Sequence, residues 1–198
     1  KGADLVNYEV FEDGAFSVEP LRRALASLNG PSMLVINFPH NPTGYTLTPD
    51  EVVRVVNVVT AHPHPIAVLV DDAYAGMVWE DGLLDRSLAW DLAEAADADR
   101  QVILKADGVT KELLFFPGRV GFLTVMTDPE GKAAEAFDSK LKSLARSANG
   151  SPVGPSQAAV LHALAQDDLE DQLAAARETL ARRYRALKAA LDGIDVPG

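Results

Sequence analysis

The chain has 198 residues, 47% of them hydrophobic and 24% charged, with no cysteine and a formal net charge of −11. That is room for one sizeable α/β domain or two small ones, and the composition is globular rather than disordered or low-complexity. The lack of cysteine excludes disulfides, thiolate metal sites and a cysteine nucleophile, and the acidic balance argues against a nucleic-acid partner, whose phosphates call for cations.

No apolar run approaches the ~20 residues of a membrane helix, so no membrane association is expected. Lys1-Gly2-Ala3-Asp4 leads into no apolar stretch of the kind a signal peptide carries. The first residue is not Met, which fits a processed chain or a piece of a longer one.

In chain order, short apolar β-rich runs alternate with helical stretches. Leu5–Val10 reads as a strand and Val18–Leu28 as a helix. Met33–Phe38 is the next strand. Thr48–Ala61 is the next helix, with Thr48 as N-cap and Glu51 at capping-box spacing. Ile66–Val70 is unbroken apolar, as in a strand covered on both faces. Leu84–Ala96 reads as helix, and Val102–Ala106 and Val120–Met126 as strands. Such alternation predicts a mostly parallel sheet with helices on both faces. Beyond Thr127 the chain reads as helical: Pro129–Ala145, then Ser156–Ala165 after a Gly/Pro loop. A last stripe runs through Leu169, Leu173, Ala176, Leu180, Tyr184, Leu187 and Leu191, at helical steps, with Gly193 at its end. It suits either a helix packed by one face or a helix leading to another domain.

Ligands of open α/β sheets bind at the carboxyl ends of the strands. Met33–Phe38 exits into Pro39-His40-Asn41-Pro42-Thr43-Gly44, and Ile66–Val70 into Asp71-Asp72-Ala73-Tyr74. Val102–Ala106 exits into Asp107-Gly108-Val109-Thr110-Lys111, and Arg119 lies eight residues beyond that lysine. An amine that can form a Schiff base, a carboxylate for a heteroaromatic N–H, an arginine for a phosphate, and an amide with a phenol for a phenolate oxygen thus share one rim. Pyridoxal 5′-phosphate (PLP) uses all five.

These motifs resemble the large domain of the fold-type I PLP enzymes, the class I/II aminotransferase superfamily. Asn41-Pro42-Thr43-Gly44, Asp71-Asp72-Ala73-Tyr74, Thr110-Lys111 and Gly118-Arg119-Val120-Gly121 stand in the family's order. The resemblance implies that Lys111 is the Schiff-base lysine and the general base. It implies that Arg119 and Thr110 serve the phosphate, that Asp71 pairs with the pyridine nitrogen, and that Asn41 and Tyr74 bond the 3-oxygen. It further implies amino acid and 2-keto acid substrates, a cytoplasmic homodimer, and no metal.

Two departures stand out. Gly108 occupies the place of a phosphate-binding Ser or Thr, and Asp72 is an additional carboxylate, with Asp71 favoured by motif register. The family's upstream phosphate-binding turn, its ring-stacking aromatic and its downstream arginine are not located in this chain. The expected organisation is therefore a partial PLP-binding large domain over residues 1–166 and a connecting helix over 167–193 toward a small C-terminal domain. A fragment of this kind is expected to bind PLP poorly and to be inactive alone. A PLP-dependent C–S lyase or other fold-type I enzyme, and the aminotransferase-like effector domain of a transcription regulator, are the alternatives. Lys105 is read as structural, Trp79 and Trp90 as packing residues, and His62 and His64 as part of a solvated loop.

Overall fold

The computed structural model describes residues 2–126, 132–151 and 153–194. Leu5–Val10 is not a strand. It runs irregularly, with Leu5 and Val6 exposed, and touches the sheet through the Tyr8 hydroxyl, which donates to the Val35 carbonyl at 3.2 Å. The first strands are instead β1 (Phe11–Glu12) and β2 (Ala15–Phe16), an antiparallel hairpin. Asp13 and Gly14 at its tip both have positive φ, 51° and 77°, as a type I′ turn demands. The hairpin sets its aromatics on Tyr45: Phe16 stacks on that ring at 5.6 Å and Phe11 meets it edge-on at 5.2 Å.

Helix α1 (Glu19–Ala26) leads to β3 (Ser32–Asn37), then α2 (Pro49–Thr60) and β4 (Ile66–Asp71). The capping box of α2 is formed. The Thr48 side chain accepts from the Glu51 N–H, and Glu51 accepts from the Thr48 N–H at 2.8 Å. Helix α3 (Leu88–Ala95) is capped by the Ser87 hydroxyl, which accepts from the Ala89 N–H at 3.0 Å. β5 (Gln101–Gly108) runs straight into the four-residue α4 (Val109–Glu112). A 3-10 turn over Phe116–Gly118 and β6 (Gly121–Met126) follow.

The sheet order is β3-β4-β5-β6. The first three strands are parallel, whereas β6 is antiparallel to β5, with Gly108 opposite Gly121. β6 therefore starts at the rim where β5 ends, and Arg119 stays at that rim. Leu34, Ile36, Ile66, Val68, Val70 and Ile103 face the core side of the sheet. Val55 and Val59 of α2, Leu21 and Leu25 of α1, and Leu88 and Leu92 of α3 close over them. Alternation along β3 sends Met33 and Val35 to the other face, where they are 56% and 53% exposed.

Helices α5 (Lys132–Asn149), α6 (Gly154–Leu164) and α7 (Leu169–Asp192) end the described chain. The start expected for α5 at Pro129 lies outside the described residues. The stripe of α7 is half-buried from Leu169 to Tyr184, and its last two members, Leu187 and Leu191, are exposed. No helix among the described residues is long and apolar enough to cross a membrane.

Candidate active site

The three parallel strands deliver their loops to one edge. At the β3 exit, the His40 N–H donates to the Tyr45 carbonyl at 2.8 Å and the Gly44 N–H to the His40 carbonyl at 2.7 Å. Those bonds close the Asn41-Pro42-Thr43-Gly44 turn, and Gly44 has a φ of 74°, which a side chain would oppose. Asn37, the last residue of β3, ties this turn to the next strand. Its side-chain amide donates to the Asp71 carbonyl at 2.7 Å and accepts from the Asn41 N–H at 2.7 Å. Two candidate cofactor residues thus hang from one buttress that the motif reading missed.

At the β4 exit, strand alternation separates the two aspartates. Asp71 is half-buried, and its Oδ1 accepts from the Ala73 N–H at 3.1 Å. Among the described residues its Oδ2 accepts no hydrogen bond. Asp72 points to the core side and is 0% exposed. Neither of its oxygens accepts a hydrogen bond of good geometry, and burial holds its carboxyl above the usual aspartate range. Its nearest cation is the Lys105 Nζ, at 3.4 Å.

The β5 exit carries both lysines. Lys105 is ion-paired with Asp107 as well as Asp72. Burial works to lower its pKa, but the two carboxylates outweigh that and hold it above the ordinary lysine value. Such an amine stays protonated and is a poor nucleophile. Lys111, on α4, has no ion pair among the described residues. Its Nζ lies 5.4 Å from the centre of the Tyr74 ring, within cation–π range. Thr110 is half-buried on the same short helix. Arg119 follows the 3-10 turn in the left-handed region, φ 51°, and is exposed.

An open cleft of about 280 Å³ borders this rim. Asn41 and Tyr74 line it with His40, Met77, Trp79 and Tyr184. Asn41 and Tyr74 therefore share one cavity, and the Lys111 amine lies against the Tyr74 ring. Asp71, Thr110, Lys111 and Arg119 are not among its lining residues. Trp79 faces this cleft, beyond the packing role read from the sequence. Tyr184 arrives from α7, where its hydroxyl bonds Glu80, while Lys188 pairs with Glu80 at 3.8 Å. The histidine loop also differs from expectation. His62 is buried, its ring 5.6 Å from that of His64, and burial lowers its pKa. No cluster of three metal-ligating side chains occurs among the described residues.

The family model for aminotransferase class I and II matches residues 1–197. The chain belongs to the class I and II aminotransferase family. It is 24% identical over 159 residues to a probable aspartate/prephenate aminotransferase of Rickettsia felis, a match covering 80% of this chain and 35% of that relative. It resembles the cytoplasmic aspartate aminotransferase of Saccharomyces cerevisiae with a TM-score of 0.75 at 20% identity, over 90% of this chain and 43% of that one. It also resembles the aromatic-amino-acid aminotransferase of Burkholderia pseudomallei, a structure covalently bound to pyridoxal phosphate. That TM-score is 0.67 at 25% identity, over 92% of this chain and 45% of the other. This family chain thus spans less than half the length of each of these relatives. The fold is that of the large domain of a PLP aminotransferase, in part.

Proposed function

We propose that the protein carrying this chain is a PLP-dependent aminotransferase that moves an amino group between an amino acid and a 2-keto acid. The observation that carries this is the Lys111 amine over the Tyr74 ring at 5.4 Å, beside a cleft that Asn41 also lines. The donor set fits the cofactor. An amine without a competing carboxylate stands beside a phenol, and Asp71 keeps one carboxylate oxygen uncommitted among the described residues. When bound, the cofactor supplies an electron sink for charge developing at the substrate Cα.

In this reading Lys111 holds the cofactor's aldehyde carbon. Its amine would serve as general base for the proton at the substrate Cα. Asp71 holds the pyridine nitrogen protonated. Asn41 and Tyr74 would bond the 3-oxygen, Arg119 would bind the phosphate, and Thr110 or a backbone N–H would replace the contact missing at Gly108. Residues 1–166 act as part of the cofactor domain, and 167–193 connect it to a smaller one. The names of the relatives, an aspartate/prephenate and an aromatic-amino-acid aminotransferase, support substrates among 2-amino and 2-keto acids. The working form is a cytoplasmic homodimer.

The test is a product assay on the full-length protein with candidate amino acids and a keto-acid acceptor. Amino-group transfer to the acceptor is the expected result. Release of ammonia and pyruvate without transfer would instead mark a lyase.

A further inference from the structure

The distance between Tyr74 and Lys111 depends on the turn after β4 and on the end of β5, and one cation joins them. The turn after β4 starts at Asp72, whose N–H donates to the Ala106 carbonyl at 3.0 Å and whose carbonyl accepts from the Ala75 N–H at 2.9 Å. Tyr74 sits inside that turn. β5 ends at Gly108, one residue past Asp107, and α4 with Lys111 follows at once. A helix of four residues has no stability of its own and must be held by tertiary contacts. Buried Val109 anchors it on one side, its N–H donating to the Val120 carbonyl at 3.2 Å.

Lys105 supplies the other hold. Its Nζ pairs with Asp107, two residues on in the same strand, and with Asp72 in the turn after β4, and all three side chains are 15% exposed or less. Burial, and after it the charge of Asp107, raises the pKa of the Glu112 carboxyl at the end of α4. The cluster is thus three carboxyls around one ammonium, and Lys105 is its sole described cation. Without it, Asp72 and Asp107 would face each other uncompensated in a desolvated site, and the Tyr74 turn would keep only the Asp72 N–H to Ala106 bond as its tie to the end of β5.

We propose that Lys105 is a positioning residue for Lys111: by holding Asp72 and Asp107 together it sets the spacing of the Tyr74 turn and the Lys111 helix. This rests on the reading of Lys111 as the cofactor-holding amine. Lys105 touches neither cofactor nor substrate in this role. It acts through the two aspartates, and geometry of this kind is costly to lose, since a misplacement of about 1 Å can slow a reaction ~100-fold.

The experiment uses the full-length protein and does not measure turnover. Cofactor is added, borohydride traps whatever amine holds it, and the trapping rate at Lys111 is followed by peptide mapping, with melting temperature as the folding control. Lys105→Met is expected to trap about tenfold more slowly or worse. Lys105→Arg keeps the cation and is expected to recover most of the rate. Should Lys105→Met fail to fold, Asp72→Asn carries the test, because it cuts the link to the Tyr74 turn and leaves the Lys105–Asp107 pair intact. Slower trapping in Asp72→Asn supports the proposal. Wild-type rates in folded Lys105→Met, or in Asp72→Asn where Lys105→Met does not fold, overturn it while leaving the cofactor reading in place. Absence of label on Lys111 in the unmodified protein overturns the cofactor reading and this inference together.

Discussion

The body of the sheet and the lysine loop beside it are built on opposite plans. In the body, β3, β4 and β5 press branched apolar side chains against α1, α2 and α3, and Val68, Val70, Leu88 and Leu92 are wholly buried. In the loop from α4 to β6, Leu114, Phe116, Phe122 and Leu123 are exposed, and Leu114 and Arg119 take positive φ. What holds the loop is a handful of directional contacts: the buried Val109, the Asp107 ion pair, and the Gly121 crossing. The difference teaches that burial and directional contacts hold different parts of one sheet. The body fixes where the strand exits stand, and the loop carries the proposed cofactor lysine with little burial.

Core truncation should separate the two regions most strongly. Leu92→Ala empties a fully buried site in α3 and is expected to cost about 2–5 kcal/mol in denaturant unfolding. Phe116→Ala, although it removes a larger side chain, is expected to change stability by no more than about 0.5 kcal/mol, because the ring is 68% exposed. Equal costs would break the comparison. Next in size is Gly121→Ala in β6. A Cβ there would lie 2.8 Å from the Asp107 carbonyl oxygen, so backbone must shift, at about 1–3 kcal/mol. Thr48→Ala removes half of the α2 capping box and is expected to cost about 1 kcal/mol by the same measurement.

A separate effect is a pH dependence seated in the loop. Burial, with the charge and hydrogen bond of Asp107, pushes Glu112 up to about 7. The folded chain then binds this proton more tightly than the unfolded chain does. Its contribution to stability is therefore greatest below the ordinary glutamate value of 4.5 and declines as pH rises toward 7. Subtracting the stability profile of Glu112→Gln from that of the wild type should isolate this decline. A flat difference across that window would mean that Glu112 is not held against Asp107.

Much of this was legible in the residues. Ile66–Val70 announced a buried strand by its unbroken apolar run, Thr48 and Glu51 announced their cap, and four motifs named a rim before its geometry was known. The hairpin at Phe11–Phe16 was missed because two-residue strands carry no alternation, although Asp13-Gly14 was a turn signal. The reversed direction of β6 leaves no mark in periodicity. Asn37 and Lys105 act across strands, so their partners depend on the register that sets Asn37 opposite Asp71 and Asp71 opposite Ala106. Tyr184 read as one more member of an apolar stripe, and only the placement of α7 beside Glu80 brings it to the cleft.

The central claim is that the amine at the β5 exit that holds the cofactor is Lys111 and not the ion-paired Lys105. Borohydride reduction of the full-length protein with pyridoxal 5′-phosphate, followed by peptide mapping, tests it directly. The expected result is one pyridoxyl group on Lys111, lost in Lys111→Ala with no label appearing elsewhere. A label on Lys105, or one that persists in Lys111→Ala, would contradict it.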